Sequence, residues 1–167
     1  LQYPDQMPKP DPTRLDPALW VREIGVFKAL DEGKENEVRR IALRRGLNIL
    51  WAKPEDEHGP VRLYEPGLSG HASGKTTFCR ILRHVLGEKH FANEFVTRGV
   101  RETFDGGWVL GEVFINSDLW LVGRPFTLGA HPFCVRESTI DEYLKDKPPH
   151  QPFTTYLNEL EKGTVNS

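Results

Sequence analysis

Gly70-His71-Ala72-Ser73-Gly74-Lys75-Thr76-Thr77 runs directly into Phe78-Cys79-Arg80-Ile81-Leu82-Arg83-His84-Val85-Leu86-Gly87. The second stretch carries Phe78, Ile81, Leu82, Val85 and Leu86 at helical spacing, and Gly87 supplies a C-cap. The first is a chain of small residues that can wrap tightly ahead of that helix. Converging backbone N–H groups and the positive end of a helix dipole make such a junction an anion cradle. Lys75 adds a point charge, and the Thr76 hydroxyl is placed to reach a divalent cation held by phosphates. The pattern approximates G-x-x-x-x-G-K-[ST]; its first glycine position falls on Ser69, with Gly70 one place later. The expected contacts to a triphosphate come from Gly70, His71, Ala72, Ser73, Gly74, Lys75, Thr76 and Thr77. Lys75 is the catalytic candidate and Thr76 the Mg²⁺ ligand. His71 is the odd member, equally readable as a solvent-facing loop histidine.

Working outward, the segment before the loop is β-prone. Trp20–Phe27 reads as a strand and Asp31–Asn36 as a turn. Glu37–Leu43 reads as a second strand, and Leu47–Ala52 as a short buried one after Arg45-Gly46. Residues 53–69 form a polar loop rich in Pro, Gly, Asp and Glu. Downstream, Val109, Val113 and Ile115 share one face with Gly111, while Leu110, Glu112, Phe114 and Asn116 share the other. Asn116-Ser117-Asp118 marks a turn, predicting a hairpin of 108–115 with 119–124. Ser138–Leu144 reads as a helix with Ser138 or Thr139 as its N-cap. After the proline-rich 147–152, Phe153–Lys162 reads as the start of another helix. No internal repeat is visible.

Composition narrows the classes. A chain of 167 residues holds one domain with a real core, or two very small ones. With a net charge of −2, bulk electrostatics does not make it a polyanion binder, so nucleic-acid contact needs a local patch or a partner. No apolar run suits a membrane helix and no secretory signal is visible, so a cytoplasmic location is expected. Cys79 and Cys134 cannot build a disulfide framework or a zinc site. Residues 1–17 hold five prolines and read as an extended arm, either a tail or a partner-binding peptide.

The order of strand, turn, strand, then Arg44-Arg45-Gly46-Leu47-Asn48-Ile49-Leu50-Trp51, phosphate loop and helix resembles the N-terminal half of the head of an SMC/RecF-type ABC ATPase. Gly111–Ile115 followed by Leu121-Val122-Gly123-Arg124-Pro125 is similar to that family's antiparallel sheet. The resemblance spans about residues 20–145. It implies an α/β fold: a P-loop NTPase of the ABC/SMC head type with an antiparallel β subdomain. The implied layout is an arm at 1–17, an N-lobe at 18–145 with its Walker A loop at 69–76, and at 146–167 a linker and a possible coiled-coil entry. It further implies ATP and Mg²⁺ as cofactors and ATP-driven engagement with a second head. DNA is the implied client, in repair, chromosome organisation or defence against foreign DNA, with accessory subunits. The chain departs from the pattern in its 53–68 insertion. It also lacks an LSGG-type signature and a strand ending in Asp-Glu, and its Gln151 lies in a proline-rich linker. A half-head, completed by a C-terminal half, is therefore the expectation.

Two alternatives stay open. Gly67-Leu68-Ser69-Gly70 followed by Ser73-Gly74-Lys75-Thr76-Thr77 echoes the loop of adenylylsulfate kinases with two residues inserted, which would make the chain a small kinase. A scaffold that holds a nucleotide without hydrolysing it is the other. Among remaining features, Arg39, Arg40, Arg44 and Arg45 form either a basic edge for DNA or a solvated strand flank. Arg80, Arg83 and His84 are read as the polar side of the helix. Glu112 and Asp118 read as structural, Trp51, Trp108 and Trp120 as core, and Cys79 as packing beside the apolar face.

Overall fold

A computed structural model describes residues 17–30, 36–49 and 75–165. Its strands are β1 (Leu19–Phe27), β2 (Glu37–Ala42), β3 (Trp108–Ile115), β4 (Asp118–Pro125), β5 (Phe133–Arg136) and β6 (Gln151–Pro152). Its helices are α1 (Lys75–Val85), α2 (Glu94–Thr103), α3 (Ile140–Asp146) and α4 (Phe153–Val165). The strands form one sheet in the order β2-β1-β3-β4-β5-β6, and every pairing among the described residues is antiparallel. The fold is thus mixed α/β, with helices on both faces of an antiparallel sheet.

The period-2 pattern of β3 explains the layering. Val109, Val113 and Ile115 enter a core with Ile81 and Val85 of α1 and Phe153 and Tyr156 of α4. Leu110 enters the opposite core with Ile140, Tyr143 and Leu144 of α3. The β3–β4 hairpin closes through Asn116-Ser117, with Asn116 in the left-handed region at φ 56°, a conformation Asn tolerates. In β1, a register shift between Val21 and Glu23 resets the alternation. Val21 and Ile24 consequently both reach the α1 side, while Phe27 packs on the α3 side.

The expected β1, β2, α1, hairpin and α3 are present. Of Ser138 and Thr139, the cap is Thr139, in a reciprocal box with Glu142. The expected strand at 47–52 is corrected: Leu47 and Ile49 stand exposed outside the sheet, while 50–52 lie outside the described residues. Asn48 is the cause. Its side chain accepts from the Arg44 N–H at 2.8 Å and donates to the carbonyls of Arg44 and Gly46, folding a local loop in place of a ladder. Three elements had no counterpart in the sequence reading, α2, β5 and β6. Residues 147–165 fold back onto the sheet, β6 pairing with β5 and α4 burying Phe153 and Tyr156.

The proline-rich arm up to Asp16, the 53–68 insertion, Trp51 and the loop from Ser69 through Gly74 lie outside the described residues. Trp120 is buried as expected, and Trp108 packs half-buried against the α3-side core.

Candidate functional site

α1 begins at Lys75, and its first turn carries no acidic residue. Thr76 and Thr77 are exposed there, their hydroxyls available beside the helix's positive end. Of the expected phosphate contacts, Gly70, His71, Ala72, Ser73 and Gly74 lie outside the described residues, and Lys75 is placed by its backbone alone.

The helix is held close to the sheet at its far end. Val85 lies on Gly111, where a Cβ would come within 2.4 Å of Val85 Cγ1. Only glycine permits that approach. Gly87, at φ +103°, then turns the chain, with its N–H donating to the His84 carbonyl and Glu88 N–H to that of Arg83.

That far end holds a second group of chemical interest. Arg124, on the α1 face of β4 beside Val122 and Trp120, is only 7% exposed. Its Nη2 donates to the Glu88 carbonyl at 2.9 Å and meets His84 Nδ1 at 3.1 Å, and Nε faces His84 Nε2 at 3.4 Å. The guanidinium lies over the Phe153 ring, 4.4 Å from its centroid. Among the described residues no carboxylate pairs with it. Burial, and next the Arg124 charge, push the His84 pKa from 6.5 down to about 4, so the ring is neutral near pH 7. Burial likewise lowers that of Arg124. This pair opens onto a cavity of about 210 Å³. His84 thus corrects the expectation of a solvated polar face. It stands three residues after Ile81 and beside Val85, which is the spacing of the buried stripe. Arg83 is exposed and pairs with Glu88 at 2.6 Å, as a wet helix face would. Cys79 is also corrected: it is exposed, one position around the helix from the buried stripe.

The carboxylates weighed earlier are occupied structurally. Glu112, 2% exposed, faces α3 rather than α1. It accepts from Arg22 Nε at 2.6 Å and from the Ile140 N–H at 2.7 Å, at the start of α3. Asp118 pairs with Arg136 at 2.6 Å.

The basic strand residues divide. Arg40 is tied to Glu37 and Asp141, each at 3.0 Å. Arg45 lies over Trp20, 4.9 Å from the ring centroid. Arg39 is exposed on β2, the sheet's edge strand. No described helix is long and apolar enough to cross a membrane. In comparisons with known proteins, no family model, curated protein or solved structure matches the chain.

Proposed function

We propose that this chain is the ATP-binding lobe of an SMC/RecF-like ABC-type ATPase head that acts on DNA in the cytoplasm and engages a second head when nucleotide binds. The observation that carries the reading is the start of α1. A helix free of acidic residues in its first turn opens at Lys75 and exposes two threonine hydroxyls, directly after the glycine-rich run. Those features fit a polyphosphate and its metal ion. Gly70–Gly74 would wrap the phosphates with backbone N–H groups, Lys75 would neutralise their charge, and Thr76 would offer Mg²⁺ its hydroxyl oxygen. Bound Mg²⁺ would supply charge neutralisation of the terminal phosphates. The packing of Val85 on Gly111 fixes the helix against β3, giving the loop a rigid base. Neither Glu112 nor Asp118 is available as a water-positioning group, which supports a site completed by other residues.

The antiparallel hairpin β3–β4 favours this reading over a small kinase, whose chain would continue from the helix into a parallel repeat. The test is titration of the chain with a fluorescent ATP analogue and Mg²⁺, with light scattering to follow association. Saturable binding that weakens at least tenfold in Lys75→Ala, with ATP-dependent dimers, supports the head. No binding overturns it. Phosphoryl transfer to a small acceptor selects the kinase, and binding without turnover or dimers selects the scaffold.

A further inference from the structure

The cavity at the C-terminal end of α1 is separate from the phosphate loop. An eleven-residue helix is about 16 Å long, and Lys75 and Val85 are its two ends. Cationic side chains reach the cavity from three places: Arg124 from β4, Arg101 from α2, and Lys89 from the connection between α1 and α2, beside His90. Among the described residues, no Asp or Glu side chain lines it. Arg101 donates Nε to the Phe126 carbonyl at 3.1 Å, which leaves its two terminal nitrogens for a ligand. Lys89 and His90 are exposed at the rim. The rest of the wall mixes Thr97, Val100, Thr127 and two prolines with Phe91 and Phe126, which stand edge to face at 5.3 Å between centroids.

A buried guanidinium is normally paired with a carboxylate, because leaving its charge uncompensated in a dry site is costly. Arg124 instead has a neutral imidazole, a carbonyl and a ring face. Three permanent cations around one hollow, with no acid among its described walls, leave room for an anion. A single carboxylate would leave much of that donor capacity unused; a dianion with three or four acceptor oxygens uses it. The volume is enough for a phosphoryl group and a small apolar substituent.

We infer that this cavity is a binding site for a phosphate monoester, gripped by Arg124, Arg101 and Lys89, with the ester substituent against Phe91 and Phe126. Its two sources are a free small phosphate ester and the terminal 5′-phosphate of a nucleic acid, which presents the same dianion. The site does not depend on nucleotide binding at Lys75.

The test is isothermal titration of the 167-residue chain with phenyl phosphate, benzoate and a short single-stranded oligonucleotide, 5′-phosphorylated or 5′-hydroxyl, in a phosphate-free buffer. Phenyl phosphate is expected to bind at one saturable site, at least tenfold tighter than benzoate. Arg101→Gln, at a half-buried position, should weaken it at least tenfold, and Arg124→Met should abolish it. Lys75→Ala should leave it unchanged, which separates this site from the phosphate loop. A preference of at least fivefold for the 5′-phosphorylated oligonucleotide assigns the nucleic-acid source. Equal affinity of the two oligonucleotides, with phenyl phosphate still bound, assigns the small ester. The proposal is overturned if phenyl phosphate does not bind, if benzoate binds as tightly, or if affinity survives both arginine substitutions in folded protein.

Discussion

The neighbouring strands β3 and β4 bury a carboxylate on one face of the sheet and a guanidinium on the other, and the two are treated in opposite ways. On the α3 face, Glu112 has a cation at 2.6 Å and a helix N–H at 2.7 Å, so its charge is compensated within the chain. On the α1 face, Arg124 is nearly as buried, yet its polar partners are a neutral ring and a carbonyl. The first is a joint between secondary structures: it ties β1, β3 and the start of α3 together. The second is a charge held in place by structure and, among the described residues, left without a counter-charge. A fold that can satisfy a buried ion on one side has the means to do so on the other. The contrast therefore separates a group that serves stability from one that is available to a ligand.

The largest effect should come from breaking the satisfied side. Glu112→Ala removes the acceptor for the Ile140 N–H and the partner of Arg22, whose side chain is 37% exposed and can recover water. The loss should be about 3–4 kcal/mol in urea unfolding, toward the lower end for a broken buried pair because Arg22 is not stranded. Glu112→Gln keeps an acceptor for α3 and should lose clearly less. Equal losses for the two would mean that the helix contact contributes nothing and the ion pair everything.

The next effect tests the other face through pH. His84 titrates near 6.5 when unfolded and at about 4 when folded, because burial and then Arg124 disfavour its cation. Between those values the unfolded chain binds more protons, so stability is fully present above pH 6.5 and is lost on acidification toward pH 4. The full difference corresponds to up to about 3 kcal/mol. Urea midpoints measured from pH 7 to pH 4 in phosphate-free buffer should fall more steeply for the parent than for His84→Gln. Parallel pH profiles would show that His84 is not the group that resists protonation there.

How much of this contrast was legible in the sequence depends on how local the governing forces are. The alternation of β3 places Glu112 opposite Val109 and Val113 by period alone, and the α1 stripe and the Gly87 stop follow from spacing and backbone freedom. Ser138 and Thr139 announced α3 as candidate N-caps, and the box with Glu142 that selects Thr139 was visible only in the structure. By contrast α2 buries no residue fully, and Thr97, Gly99 and Thr103 weaken its helical propensity, so its short stripe of Val96, Val100 and Phe104 was overlooked. Asn93, whose side chain accepts from the Val96 N–H, was a second usable signal. β5, four residues after Pro132, is too short to show a period. The failure at 47–49 was a contest between apolar propensity and three hydrogen bonds from one asparagine side chain, which local geometry decided. The helix start at Lys75 was readable because a glycine-rich loop opening an amphipathic helix is a local pattern. The cavity was not, because His84, Arg101 and Arg124 are brought together only by the packing of α1 and α2 against β4.

The smallest effect is the most discriminating. Arg124→Met keeps an unbranched stem over Phe153 and removes a guanidinium that no carboxylate balances. Replacing a buried ion by an apolar chain of similar length is often neutral or stabilising. The hydrogen bonds to His84 and to the Glu88 carbonyl are lost, and with Arg124 gone one cause of the depressed His84 pKa disappears as well. These changes oppose each other, so the unfolding free energy at pH 7 should shift by no more than about 1 kcal/mol. Arg124 then differs from Glu112 by a factor of roughly three in what the ligand-free fold requires of it. A loss as large as that of Glu112→Ala would place Arg124 among the joints of the structure, and the two faces would be alike after all.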